Sequence, residues 1–375
     1  MSPSALGELL SIFEENFRSR GEIGASVSVW WRGEEILSAG QGWCEKEQQR
    51  PWTVETLVPV YSATKGPSAA TLLLVLDERG LGPDTLVREV WPSFPLAEAT
   101  FAHLLSHQCG LAALDRKASV YDHAEVIAAI EAQAPAWRPG DGHGYHPRTF
   151  GALVDEPVRR LTGQTLGQVW REKIADPLGL EFWIGLPESE WPRVARLYPG
   201  KAGAEDMQSG FYKEFNTEGT IVRRAFGSPR GLHSVQEMND PKAWSAGLPA
   251  MGGIGTASAL AKFYQAAIGA IASPLTDRVK QALAAVRISG DDRVLVRPTA
   301  FSCGCQLDPV DASGHKLREL YGPSLQAFGH PGAGGSHALG DPESGLSFAY
   351  IMNQMELNVF PGPKSTEMVR ALFSC

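Results

Sequence analysis

Between Ser62 and Arg79 the chain reads as a helix that is apolar almost all round, because Ala69, Ala70, Leu72, Leu73, Val75 and Leu76 leave it no polar face. Such a helix is covered on every side, so the rest of the fold has to be assembled around it. A short apolar strand, Leu57–Val60, leads into it, and Gly80 with Gly82-Pro83 stops it. The 375 residues, 43% of them hydrophobic, supply enough apolar material for one large domain or two intimate ones.

The segments on either side suggest what does the covering. Leu6, Leu9, Leu10, Phe13 and Phe17 recur at helical spacing near the start. Ala25–Trp31 and Glu35–Ala39 flank Arg32-Gly33-Glu34 as a β-hairpin. A helical middle follows, with Phe101–Ser106, His123–Ala134, Phe150–Leu161 and Leu166–Ile174 separated by Pro/Gly turns. Residues 199–255 are Gly-rich and weakly periodic, and read as a long surface excursion. Leu325–Phe328 and Leu346–Asn353 read as strands around a Gly-rich turn, with Ser365–Phe373 as a closing helix. Strands at both chain ends with helices between predict an α+β protein. One antiparallel sheet is built from both ends, in a lobe of about 1–80 and 285–375. A mainly helical lobe of about 81–284 lies across a cleft from it.

Charge and composition remove several function classes. Lys plus Arg is 34 and Asp plus Glu is 42, a net charge of −8 with no basic block, which argues against nucleic acid as a partner. No apolar run approaches the ~20 residues of a membrane span. The N-terminal stretch carries acidic residues through its middle and has no small-residue cleavage site, so a cytoplasmic location is expected. The cysteines, Cys44, Cys109, Cys303, Cys305 and Cys375, are odd in number and scattered, which suits free thiols. Cys303-Gly-Cys305 is too isolated for a four-ligand zinc site. His103 and His107, at i and i+4, lack an intervening Glu and read as packing residues.

Chemistry concentrates at Ser62-Ala63-Thr64-Lys65. The three-residue spacing puts Ser62 and Lys65 on one helix face. There the positive end of the helix dipole and burial both oppose an ammonium, which suits Lys65 to take the Ser62 proton. The competing reading makes Ser62 a helix N-cap and Lys65 a solvated side chain. A second copy of the pattern, Ser313-Gly-His-Lys316, lies in a turn-like stretch with no apolar helix after it. Gly334-Gly335-Ser336-His337-Ala338 comes nearest to a nucleophile elbow but ends in Ala and leads into no helix.

The segment LVPVYSATKGPSAATLLLVLDERG resembles the nucleophile segment of the class C β-lactamase-like serine hydrolases, the penicillin-binding-protein fold that includes family VIII carboxylesterases. The resemblance continues through TFAHLLSHQCGL at 100–111, Trp137-Arg-Pro-Gly140, Tyr145, Gly163–Leu166 and Pro177–Leu180. It ends in Phe328-Gly-His-Pro-Gly-Ala-Gly-Gly335, and only the stretch near 199–245 is poorly matched. It implies Ser62 as nucleophile, Lys65 as its base, and Tyr145 sharing proton transfer to leaving group and water. It also implies an oxyanion hole from the N–H groups of Ser62 and Ala333, with Gly332, Gly334 and Gly335 permitting close approach. His330, Gly332 and Gly334 would contact substrate, a small-molecule ester or amide. Neither metal nor organic cofactor is implied.

Departures from the family pattern refine the expectation. The second motif, Tyr-x-Asn in β-lactamases, reads Tyr145-His146-Pro147, and the third, Lys-[Thr/Ser]-Gly, reads His330-Pro331-Gly332. Proline has no side-chain amide, and a histidine is mostly neutral at pH 7. Both changes favour a neutral ester or amide over a β-lactam, and the His-x-Gly form, which occurs in the esterase branch of the family, makes a carboxylesterase the first expectation. The same acyl-enzyme scaffold also serves amidases, D-amino-acid peptidases, β-lactamases and acyltransferases, and a ligand-sensing homologue without catalysis is a further alternative. His143 and His146 flank the tyrosine, and Trp137 and Trp244 are candidate pocket walls.

Overall fold

Gly24–Trp31 (β1) and Glu34–Gly42 (β2) form the expected hairpin, and positive φ at both Arg32 and Gly33 closes its two-residue turn. The remaining strands are β3 (Val58–Pro59), β4 (Phe182–Ile184), β5 (Gly253–Gly255), β6 (Ile288–Asp292), β7 (Arg297–Phe301), β8 (Gln306–Leu307), β9 (Phe328–Pro331), β10 (His337–Asp341) and β11 (Leu346–Met352). Eight of them make one sheet in the order β2-β1-β11-β10-β9-β8-β7-β6, antiparallel at every pairing. The first and last segments of the chain thus lie side by side, Val27 opposite Tyr350 and Ala25 opposite Met352. This is a computed structural model, and it describes residues 2–200, 209–357 and 359–374.

The helices that matter for the site are α1 (Pro3–Arg18), α2 (Lys65–Glu78), α3 (Phe150–Thr162), α4 (Gly210–Asn216), α5 (Ile221–Gly227), α6 (Ala257–Ala267) and α7 (Pro363–Phe373). Alternation along β1 sends Val27 and Val29 to one face, where they join Leu9 and Phe13 of α1 and Met368 and Leu372 of α7 in a common core. Against the other face lies α6, tied down by Gln265 Nε2 donating to Ser347 Oγ (3.1 Å) and by Ser347 Oγ donating to the Ala261 carbonyl (2.7 Å). Behind the sheet runs α2, with twelve of its 14 residues buried, as its all-round apolar sequence requires.

The structure revises several sequence expectations. Leu57–Val60 contributes β3, which joins β5 and β4 in a separate three-stranded sheet rather than the main one. The strand expected at Leu325–Phe328 lies at Phe328–Pro331, because it pairs with β10 in a register that sets Gly329 against Leu339 and His330 against Ala338. A Cβ on Gly329 would stand 2.1 Å from the Ala338 carbonyl oxygen, so the pairing needs glycine there, while Leu325 is left exposed. Residues 199–255 are not simply an excursion. Among the described ones, α4 and α5 bring Phe211, Val222 and Ala225 into a core shared with Tyr145 and Phe301, and two shorter helices add Met238 and Ala243 to the main core.

Candidate active site

Tyr61, at the end of β3, has φ +48° and ψ −130°, a strained backbone for a residue with a side chain. The kink turns the chain out of the small sheet, where the Val60 N–H bonds the Gly253 carbonyl (2.9 Å), and into a 3₁₀ turn at Ser62–Thr64 that leads directly to α2. Ser62 is therefore in a 3₁₀ turn and not in the first turn of an α-helix. Side chains at i and i+3 eclipse in that geometry, so Ser62 and Lys65 meet all the same. Ser62 caps no helix: α2 starts from Thr64 without a side-chain cap, and the Ser62 hydroxyl lies 3.1 Å from Lys65 Nζ.

Nor is Lys65 solvated. It is fully buried, and its Nζ reaches three oxygens: Ala250 carbonyl (2.8 Å), Pro147 carbonyl (3.0 Å) and Ser62 Oγ. Burial, helped by the Arg148 guanidinium, holds the amine well below its ordinary pKa. A neutral amine has two N–H donors and one lone pair. Carbonyls only accept, so they take both N–H groups and leave the lone pair for the Ser62 O–H. The proline that replaces the expected asparagine thus serves through its backbone carbonyl.

Tyr145 reaches the same point from the helical side. Its phenol hydrogen-bonds the Ser62 side chain, and burial raises its pKa, with the Ser62 bond partly opposing and Asp292 adding to the rise. Phe301 stacks on its ring at 6.1 Å and 9°, and the His107 ring meets it edge-on at 4.9 Å. The Tyr145 backbone N–H is held by Asp292 (3.0 Å to Oδ1), a buried carboxylate that also accepts from Val294 N, Leu295 N and Thr299 Oγ1. Sequence reading missed Asp292, since no motif marks an aspartate whose partners are backbone groups of other segments.

The histidines divide by role. His146 Nδ1 donates to the Gly144 carbonyl (2.7 Å) and its Nε2 accepts the Leu111 N–H (3.0 Å), which makes it a neutral cross-link, its pKa pushed down to about 3 by burial. His103 and His107 do not share a helix face, because their helix ends at Leu105 and His107 has φ +64°. His103 accepts the Thr100 N–H, whereas His107 is buried behind Tyr145. His330 donates from Nδ1 to the Pro331 carbonyl (2.8 Å), leaving Nε2 as a buried lone pair with no partner among the described residues. Its ring centroid lies 5.9 Å from that of Tyr145, and burial, then Lys65, push its pKa down to about 3.

Past His330, the turn between β9 and β10 closes with the Gly332 N–H on the Ser336 carbonyl (2.7 Å). A Cβ on Gly332 would stand 2.0 Å from the Val60 carbonyl oxygen, so this turn lies directly on the segment that presents Ser62. Gly334 has φ +91°, and a Cβ on it would meet Met355. The turn brings Ala333 to a cavity of about 380 Å³ that Ser62 also lines, and the Ala333 N–H has no backbone acceptor among the described residues. Apolar walls come from Phe215 of α4, Phe226 of α5, Leu232 and Met251. Trp137 and Trp244 do not line it. Of the other candidates, Ser336 Oγ is buried without a hydrogen-bond partner among the described residues, and Lys316 pairs with Asp308 (3.1 Å) rather than with Ser313.

The family model described as Beta-lactamase matches residues 11–372. The chain belongs to the β-lactamase family. Esterase/beta-lactamase LipL of Mycobacterium tuberculosis is 27% identical over 363 residues, covering 92% of this chain and 80% of LipL. Among solved structures, a family VIII carboxylesterase superposes with a TM-score of 0.86 at 31% identity, covering 100% of this chain and 98% of that one. A penicillin-binding protein homologue from Caulobacter crescentus gives 0.84 at 30% identity, with 100% and 98% covered. This β-lactamase-family chain thus has the fold that its sequence resemblance implied. None of its described helices is long and apolar enough to cross a membrane.

Proposed function

We propose that this protein is a serine hydrolase that forms an acyl-enzyme on Ser62 and hydrolyses a small or medium carboxylic ester. The observation that carries the reading is the buried Lys65 amine, whose Nζ lies within 3.1 Å of Ser62 Oγ and of the Pro147 and Ala250 carbonyls; once deprotonated, it gives its two N–H groups to the carbonyls and its lone pair to the Ser62 hydroxyl. The relatives named as esterases support it.

In this scheme Lys65 takes the Ser62 proton as Oγ attacks the ester carbonyl. The N–H groups of Ser62 and Ala333 receive the oxyanion. Tyr145, kept protonated by its raised pKa, gives its proton to the departing alkoxide and is reprotonated by the Lys65 ammonium, so Lys65 returns to its neutral form and one proton has passed in net from Ser62 to the alcohol. Water then adds to the acyl carbonyl, yielding a proton to Lys65, and Ser62 Oγ leaves reprotonated. His330, Gly332 and Gly334 shape the substrate's path. The neutral His330 and the absence of a side-chain amide at Pro147 support a neutral ester or amide over a β-lactam. The buried free thiols Cys44, Cys109, Cys303 and Cys305 suit the proposed cytoplasmic location.

Turnover of p-nitrophenyl acetate and butyrate by the wild type, compared with folded Ser62→Ala, tests the reading. The expected loss is at least about 10³-fold. Activity that survives in Ser62→Ala overturns the assignment of the nucleophile.

A further inference from the structure

The cavity beside Ser62 has apolar walls, but among the described residues the formal charges that line it are all of one sign. They are the guanidinium groups of Arg148 and Arg223, with His233 beside them, and no Asp or Glu is among the described residues that line it. In a chain of net charge −8, a reactive cavity with only positive charge departs from the composition.

Among the described residues, neither arginine forms an ion pair with a carboxylate. Arg148 is 8% exposed, and its guanidinium donates to the carbonyls of Pro229 (2.9 Å), Leu232 (3.2 Å) and Gly231. A guanidinium has five N–H donors, so three acceptors leave some of its capacity unused. Glu237, which acts on Arg148 at longer range, is occupied in capping a short helix through the His233 and Ser234 N–H groups and does not line the cavity. Arg223 stands exposed on α5 and makes one bond, to the Asn216 carbonyl (3.3 Å), with no ion pair among the described residues. The next residue, Arg224, is paired with Asp115. His233 accepts the Gly231 N–H at Nε2 (3.1 Å), which places its own N–H on Nδ1. A cation that no carboxylate pairs with directly is a site that gains from an incoming anion.

The geometry points to a substrate that carries a carboxylate away from its scissile bond, received at the mouth of the cavity by Arg223 with Arg148 beneath. This rests on the serine-hydrolase reading above and specifies its substrate class: an ester of a dicarboxylic acid, or an ester whose alcohol bears the acid. The test uses two matched pairs. On the acyl side, mono-p-nitrophenyl adipate is compared with p-nitrophenyl hexanoate. On the alcohol side, 4-(carboxymethyl)phenyl butyrate is compared with its methyl ester, the methylene insulating the leaving group from the charge. In at least one pair the anionic ester has the higher kcat/KM, by about five- to tenfold at low salt, and added salt narrows the gap. Arg223→Gln brings that ratio close to one, whereas Arg224→Gln, which removes a charge already paired elsewhere, preserves it. A ratio of two rates in one variant is unaffected by the fraction of enzyme that folds. If the neutral esters are cleaved through Ser62 and neither anionic ester is preferred, or the ratio survives Arg223→Gln, the charge proposal is overturned and the hydrolase reading stands. If no ester is cleaved through Ser62, the hydrolase reading falls and takes this proposal with it.

Discussion

Lys65 and Tyr145 face one serine with opposite protonation preferences. Burial lowers the pKa of the amine and raises that of the phenol, so over a broad span of pH both are neutral. A base works in its deprotonated form, so kcat/KM rises with pH through the depressed pKa of Lys65. An acid works in its protonated form, so the rate falls only where Tyr145 ionises, above the ordinary tyrosine range. The expected pH–rate profile is a rising limb below the usual lysine value followed by a wide plateau. Tyr145→Phe should lower kcat by about 10²–10⁴-fold while preserving the rising limb, and Lys65→Met should remove both the limb and the activity. A limb that stays in place in residually active Lys65→Met would assign it to another group. At this scale the sequence was legible where a local spacing brings side chains together, as at Ser62 and Lys65. It was silent where the partner is backbone from a distant segment: the carbonyls of Pro147 and Ala250, or Asp292 holding the Tyr145 N–H.

Two elements set the distance between the proposed nucleophile, Ser62, and the proposed oxyanion donor, Ala333: the turn that ends in α2 and the turn between β9 and β10. They touch at Gly332, where a Cβ would stand 2.0 Å from the Val60 carbonyl oxygen. That gap closes only if one turn shifts, and both carry site residues, Ser62 on one and Ala333 on the other. Gly332→Ala is therefore expected to lower kcat by about 10²-fold, the scale associated with a misplacement of about 1 Å. Far-ultraviolet circular dichroism should remain that of the wild type, since the strain falls on a turn and leaves the sheet's pairing in place. Wild-type kcat in Gly332→Ala would show that the contact relaxes without moving the site. The hairpin, α2 and the helical middle were readable because each carries its own period or cap. The strands β6, β7, β8 and β10 were not: they are two to five residues long and include Gly290, Asp291, Asp292, Arg297 and Pro298, which spoil any alternation. They pair with strands next to them along the chain, so what the sequence lacked was a readable period and not a nearby partner.

Over the whole molecule, the fold buries more imidazole than its active site uses. His107, His146, His330 and His337 are all fully or almost fully buried, each with its pKa lowered chiefly by burial. His337 is the cleanest case, because it sits on β10 between Tyr321 and Phe348 with Nδ1 3.2 Å from Ser365 Oγ. Its pKa is pushed down to about 3, against an ordinary value of 6.5 in the unfolded chain. As pH falls below 6.5 the unfolded state therefore binds a proton that the folded state refuses, and stability is lost down to about pH 3. The slope for one such group is about 1.4 kcal/mol per pH unit. The buried carboxyls Glu22, Asp308 and Glu356, raised in pKa chiefly by burial, act in the opposite sense, so the wild-type curve alone does not isolate the histidine contribution. A difference measurement does. His337→Gln keeps a polar side chain but cannot take up a proton, and it should be less stable than the wild type at pH 8. Between pH 6 and pH 4.5 urea unfolding should show the wild type losing stability relative to the variant, by about 2 kcal/mol in all. Parallel curves for the two proteins across that range would mean that His337 takes up its proton in the folded state, contrary to the burial that the sheet and α7 impose on it.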